Sequence, residues 1–581
     1  MPPSKSIKPL KELTTSSLAA SISCAIECIT RGRKKPPEPT TKSGRKKKTS
    51  KSKLRQIAEE PTIFNPYKEL EKVKRYLGEA TPKKCRINVF HETLLSVTYV
   101  FTEIGKEHFS GDSAFLEKVK LLENALRFTF DLIFDPDITI LDMTKVLHEI
   151  MKWVDVCRLN NRDPLARTYS YGQVESMLLA VLGANTQVFS SLACLVWPHL
   201  VSGELIKMIG RYCRNLRRLV LTCSCDIITA MDEDVQPDFT GGKHEKDIIN
   251  ALSSLYKRSV GDFASSQPVG CPWLKTLILP ELDDSENLIV SVMVEALCSL
   301  RSLEHVSGIP MLSCLVRLPT IRGSPNKLNL KNLCDQDTYR RRFVPDVTYF
   351  KDLLPKVESV EIIVSKHITT KIMPYFEDIR HLRVEWPDFH IHAKKYSNLH
   401  TLDIALDFQG VWPMLLALSR SCRELKELTL QHPTFEVSEE HQTGVRPPKM
   451  PSLRSLRIIR SSYIEFTAFR TFVQCCPNLE VISLTLSNDR NYLVDEFSDH
   501  LIRSIAPLLK NVRSFTAECQ YKYNLYLQLN CTLTSISADT LIAHCPNLKY
   551  IGNLDCWDVN ETDVNNLFKK IKVNNWDLVI G

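Results

Sequence analysis

One short alternation of apolar and polar positions recurs along the second half of the chain. A polar or cysteine-bearing lead-in is followed by Leu-x-x-Leu-x-Leu or a close variant. The clear copies are 213–221, 271–279, 396–404, 422–430, 476–484 and 545–551, and weaker ones fall at 357–362, 379–384, 453–458 and 512–517. From Val357 the first apolar position recurs at gaps of 20 to 36 residues. Leu-x-x-Leu-x-Leu predicts a short strand whose alternate side chains point into one core. A unit of about 26 residues leaves room for a turn and a helix before the next strand, and 411–419, 466–473 and 499–508 suit such helices. One unit cannot bury its apolar side alone, so neighbours must stack. The predicted class is α/β, a solenoid of short parallel strands with helices outside.

The pattern changes on either side of that array. Residues 61–204 read as a helical domain. Leu116, Val119, Leu122, Leu126 and Phe130 form a helical stripe, 140–156 and 174–205 look similar, and Pro136, Pro164 and Pro198 punctuate the segments. In residues 1–30, Leu10, Leu13, Leu18, Ile22, Ile26 and Ile29 recur at helical intervals, which predicts an amphipathic helix able to meet an adaptor. Residues 31–60 are rich in Lys, Ser, Thr and Pro and predict a disordered basic linker. The repeat array is then 205–581. Within it 312–349 is poorly periodic, and 435–451 reads as an inserted loop.

Charge sharpens the division. The net charge is +8, but 31–55 alone carries +11, which leaves −3 on the other 556 residues. The run Arg31, Arg33, Lys34, Lys35, then Arg45, Lys46, Lys47, Lys48 has the form of a bipartite nuclear import signal. It also has the form of an arm that contacts phosphates without reading sequence. No aromatic residue lies in it to stack on bases, so nucleic acid enters the picture only through this tail. The N-terminus shows no apolar signal core, and no apolar run is long enough to span a bilayer. No membrane partner is expected, and localisation is read as nuclear and/or cytoplasmic.

The 19 cysteines are odd in number and scattered. They read as free buried thiols, and Cys223/Cys225, Cys475/Cys476 and His390/His392 lack zinc-site spacing. No phosphate loop, dinucleotide fingerprint, zinc-protease or nucleophile-elbow motif is present. The expectation is a protein that is not an enzyme, with no catalytic, metal or cofactor residues and no small-molecule substrate.

The Cys-Pro-Asn-Leu-x-x-Leu-x-Leu unit resembles the cysteine-containing leucine-rich repeat of F-box/leucine-rich-repeat substrate receptors, a solenoid similar to that of ribonuclease inhibitor. The resemblance covers about 205–581. It implies a protein-recognition subunit of a cullin-RING ubiquitin ligase. No F-box motif precedes the repeats. Instead Leu10, Leu13, Thr14 and Leu18 resemble an elongin BC-box, with Thr14 where a cysteine is usual. An elongin BC/cullin or Skp1-type adaptor is therefore the implied partner. In such a solenoid the residues between the leucines face the concave side. The candidate contacts for a protein partner are His381, Arg383, Glu385, Asp403, Thr429, Gln431, Arg457, Thr485 and Glu518. Their mixed signs suit a protein surface better than nucleic acid. Two other readings stay open: a leucine-rich-repeat scaffold with no ligase link, and a nucleic-acid-associated factor acting through the tail.

Overall fold

The Leu-x-x-Leu-x-Leu segments are short parallel strands, and the chain between them returns by turns and helices. The structure is a computed structural model. It describes residues 138–151, 171–222, 242–257, 270–280, 286–320, 325–335, 349–362, 376–385, 396–406, 411–435, 449–487, 498–520 and 533–580, apart from single positions within them. Scattered positions at 22, 75, 89–96, 124–130 and 282 are also described. Two compact units separate, one holding the described residues up to 222 with those of 246–274, the other holding 242–245 and the described residues from 275 onward.

The first unit carries β1 (Ile140–Asp142), β2 (Cys194–Val196) and β3 (Arg218–Val220). They pair in parallel, with Leu141, Leu195 and Leu219 aligned and buried. Its helices include α1 (Tyr171–Ala184) and α2 (Gly203–Tyr212). The Ser202 hydroxyl caps α2 by accepting from the Leu205 N–H at 3.3 Å. Gly210 allows the helix to lie against the Ser254 backbone, where an added Cβ would sit 2.4 Å from the carbonyl oxygen. Two expectations are corrected here. The region 61–204, read as helical, contains β1 and β2. The segment 140–156, read as a helix, opens with a strand. Three residues are too few to show a two-residue period, and the Asp142 carboxylate, accepting from the Thr144 N–H at 2.9 Å, starts the helix only after β1.

The second unit begins with the parallel pair β4 (Thr276–Ile278) and β5 (His305–Ser307). Ten parallel strands follow in one sheet: β6 (Asn332–Asp335), β7 (Ser359–Ile362), β8 (His381–Glu385), β9 (Thr401–Ala405), β10 (Glu427–Gln431), β12 (Ser455–Ser461), β14 (Val481–Ser487), β15 (Ser514–Gln520), β16 (Tyr550–Gly552) and β17 (Val579–Ile580). Their order in space is their order in sequence. The short strands β11 (Thr434–Phe435) and β13 (Tyr463–Ile464) pair separately. Six helices of the unit matter below: α3 (Glu286–Ser299), α4 (Val411–Ser421), α5 (Phe466–Cys475), α6 (Asp499–Ile505), α7 (Ser535–His544) and α8 (Glu561–Val573). A parallel pair needs such a crossover, because a tight hairpin cannot reverse the chain.

The core is a set of apolar rows running across the strands. Leu333, Val360, Leu382, Leu402, Leu428, Leu456, Ile482, Phe515 and Ile551 are register partners and are all buried. Each leucine removed from water contributes about 2 kcal/mol. The region 435–451, read as a loop, is corrected at its first residue. Phe435 lies in β11, buried edge-to-face against Phe469 and Phe472 of α5 at 5.2 and 5.6 Å.

Candidate functional site

The repeat lead-in builds one turn, made many times. In Cys422-Arg-Glu-Leu425 the Leu425 N–H donates to the Cys422 carbonyl at 3.2 Å, and the strand starts at Glu427. The same bond joins Leu303 to Leu300, Leu399 to Tyr396, Leu453 to Met450, Leu479 to Cys476, Val512 to Leu509 and Leu548 to Cys545. The first residue of each turn is buried. The slot thus takes Cys, Leu, Met or Tyr, and periodicity built on cysteine sees only some copies. Burial alone pushes the thiols of Cys271, Cys422 and Cys475 up to about 12. These groups fill space and are poor nucleophiles.

Where an asparagine stands one residue before the first apolar strand-side position, it ties its turn to the preceding one. Asn329 donates to the Arg301 carbonyl at 2.9 Å, Asn478 to Pro451 at 2.7 Å, and Asn511 and Asn547 to Pro477 and Lys510 at 3.3 Å. This is the physical content of the Asn in Cys-Pro-Asn.

The residue immediately before each strand forms a second row. Its carbonyl accepts two N–H groups from the next turn, as Lys275 does from Glu304 and His305. The row reads Lys275, Glu304, Lys331, Glu358, Arg380, His400, Lys426, Arg454, Glu480, Arg513, Lys549. Glu304 binds Lys275 at 2.6 Å and Lys331 at 2.7 Å, Glu358 pairs with Arg380, and Glu480 pairs with Arg454 and Arg513. Hydrogen bonds from Lys275 and Lys331 hold the Glu304 carboxyl down at about 2. The sequence reading missed this ladder, although a charged residue or histidine one position before each strand, alternating in sign from Lys275 to Arg380, is visible in the chain.

The candidate contacts lie on the sheet face opposite the helices. Register places Glu361, Arg383, Asp403, Thr429, Arg457, Ser483 and Thr516 in one row across seven strands. His381 belongs to a neighbouring row with Ser359, Thr401, Glu427 and Ser455, and Glu385, Gln431 and Glu518 belong to a third. At the centre Arg383 bridges two carboxylates, Glu361 at 2.6 Å and Asp403 at 3.3 Å. Gln431 donates to the other Asp403 oxygen at 2.9 Å. Burial pushes the Asp403 carboxyl up, and Arg383, Gln431 and Arg457 pull it back. Glu361 also accepts from the Cys334 thiol at 3.5 Å. The result is a half-buried, mutually hydrogen-bonded polar network.

One candidate is corrected. Thr485, read as a contact on the open face, is buried and gives its hydroxyl to Glu518 at 2.8 Å. It orients that carboxylate instead of meeting a partner. The candidate adaptor residues Leu10, Leu13, Thr14 and Leu18 lie outside the described residues, as do Arg31, Arg33, Lys34, Lys35, Arg45, Lys46, Lys47 and Lys48. So do Cys223, Cys225, His390 and His392, whereas Cys475 and Cys476 are buried at the end of α5. Among the described residues no helix is long and apolar enough to cross a membrane. Compared with known proteins, the chain matches no family model and no curated protein.

Proposed function

We propose that this chain is a non-enzymatic recognition protein built as a leucine-rich-repeat solenoid, whose exposed strand face holds a protein partner. In its specific form it is a substrate-receptor-like subunit of a cullin-RING ubiquitin ligase. The segment from Leu10 to Leu18 would reach an elongin BC or Skp1-type adaptor. The observation that carries the recognition half is the in-register polar face, with Arg383 clamped between Glu361 and Asp403 on parallel strands. A solvated strand face needs no such clamp, whereas a pre-ordered ionic centre reduces what binding must order. The ligase half is supported by the i, i+4, i+8 spacing of Leu10, Thr14 and Leu18, which lines one helical face for an apolar groove.

Affinity purification of the intact chain with mass spectrometry tests both halves. Elongin, Skp1 or cullin should be recovered, and Leu10→Ala with Leu18→Ala should abolish that recovery. Absent or unchanged recovery removes the ligase and leaves a scaffold with no ligase link. The +11 run supports one further reading, contact with nucleic acid. That reading requires a steep salt dependence of DNA or RNA binding that disappears when 31–55 is deleted.

A further inference from the structure

The exposed strand face is not uniform, and its asymmetry specifies a ligand. The face carries carboxylates at Glu361, Asp403, Glu427 and Glu518 against guanidiniums at Arg383 and Arg457. Arg383 is already engaged by two of those acids. Three of the four carboxylates sit on β7, β9 and β10. Beyond β12 the outer row changes character: Val481, Ser514, Tyr550 and Val579 are register partners on β14 to β17. Val481 is 38% exposed and Val579 57%. A net-negative half therefore adjoins an apolar, hydroxyl-lined half. The row just before the strands has the opposite balance, with seven Lys or Arg against three Glu, so a cationic ligand is drawn to the face and not to that edge.

We propose that the face takes an extended partner segment with Lys or Arg at one end and an aliphatic or aromatic anchor at the other, lying across the strands. This deepens the recognition half of the function above and rests on it. Strand spacing sets the scale. From β9 to β16 there are five steps of about 4.8 Å, or roughly 24 Å, which about seven extended residues cover. The cations meet Asp403 on β9 and Glu427 on β10, and five steps away the anchor meets Tyr550 on β16 and Val579 on β17. Burial of the anchor supplies affinity, and the charges supply orientation and register.

The test is fluorescence anisotropy of labelled twelve-residue peptides with the full chain. One carries two adjacent arginines and a tryptophan seven residues away, a second has the order reversed, and a third has glutamates for the arginines. One of the first two should bind saturably, more weakly at high salt, and the third should not. Glu427→Gln and Val579→Ser, both at exposed positions, should each weaken binding about five- to tenfold. Lys426→Gln, one residue away on the positive row, should change it less than twofold. Equal binding of the glutamate peptide, or indifference to Glu427→Gln and Val579→Ser, overturns the proposal. So does self-association of the chain that the same substitutions abolish, because the face is then taken by a second copy. No adaptor enters this measurement, so its failure and the failure of the ligase reading are separable.

Discussion

The side-chain amide of Asn478 spans two turns, and its loss should be felt locally. Asn478→Ala leaves the Pro451 carbonyl without its 2.7 Å donor and should cost about 1 kcal/mol, read as a lower urea midpoint with unchanged slope. The thiols of Cys271 and Cys422 in the turns, and of Cys475 at the end of α5, give a second readout. With burial holding Cys271, Cys422 and Cys475 at about 12, they should resist a thiol reagent at pH 8 and react only as fast as the chain opens. Glu304 gives a pH signature. Its folded value, about 2, lies below the ordinary 4.5, so its stabilisation is complete above that value and is lost as pH falls between the two. Glu304→Gln should flatten that limb of the stability curve. High salt should shrink the difference, since Lys275 and Lys331 are about half exposed.

At the scale of elements, stability resides in the apolar rows. Leu428 lies mid-sheet between Leu402 and Leu456, so Leu428→Ala should cost about 2–5 kcal/mol by urea titration. The junction of β5 and β6 is different. There the Asn332 amide accepts from the Val306 N–H at 2.9 Å and donates to the Val306 carbonyl at 3.0 Å, a side chain doing what backbone does elsewhere. Asn332→Ala should speed hydrogen exchange at Val306 well before it affects β12 or β14. This junction also shows where the sequence stops being legible. The strands with Leu-x-x-Leu-x-Leu were readable because one buried face writes itself as alternation. In β5 and β6 the spacing Leu303-x-x-Val306 and Leu330-x-x-Leu333 is kept, but the last apolar position is Gly308 or Asp335 and no cysteine marks the turn, so the alternation is cut short. Of the candidate site, the positions between leucines could be read, because parity places them on the face. The partners Arg383 selects could not, since they depend on register between strands about twenty residues apart. The burial of Thr485 escaped for the same reason.

For the whole molecule, charge is divided by segment. The chain is +8 with residues 31–55 and −3 without them, so deleting that run should move it from a cation to an anion exchanger at pH 7. The fold bears on this only through what it can tolerate. Counted from the buried turn residue, the strand begins five positions later at Cys213, Cys271, Tyr396, Cys422, Cys476 and Cys545 alike. All variation in repeat length therefore falls after the strand and before the next turn. The turn acts as a ruler, and a single extra residue inside it would rotate the following strand by one position. Inserted between Cys422 and Glu427, it would send Thr429 and Gln431 toward the helices and Leu428 and Leu430 into water. Natural or designed change around this surface can come freely through the segments downstream of each strand, while the five-residue measure upstream has to stay fixed.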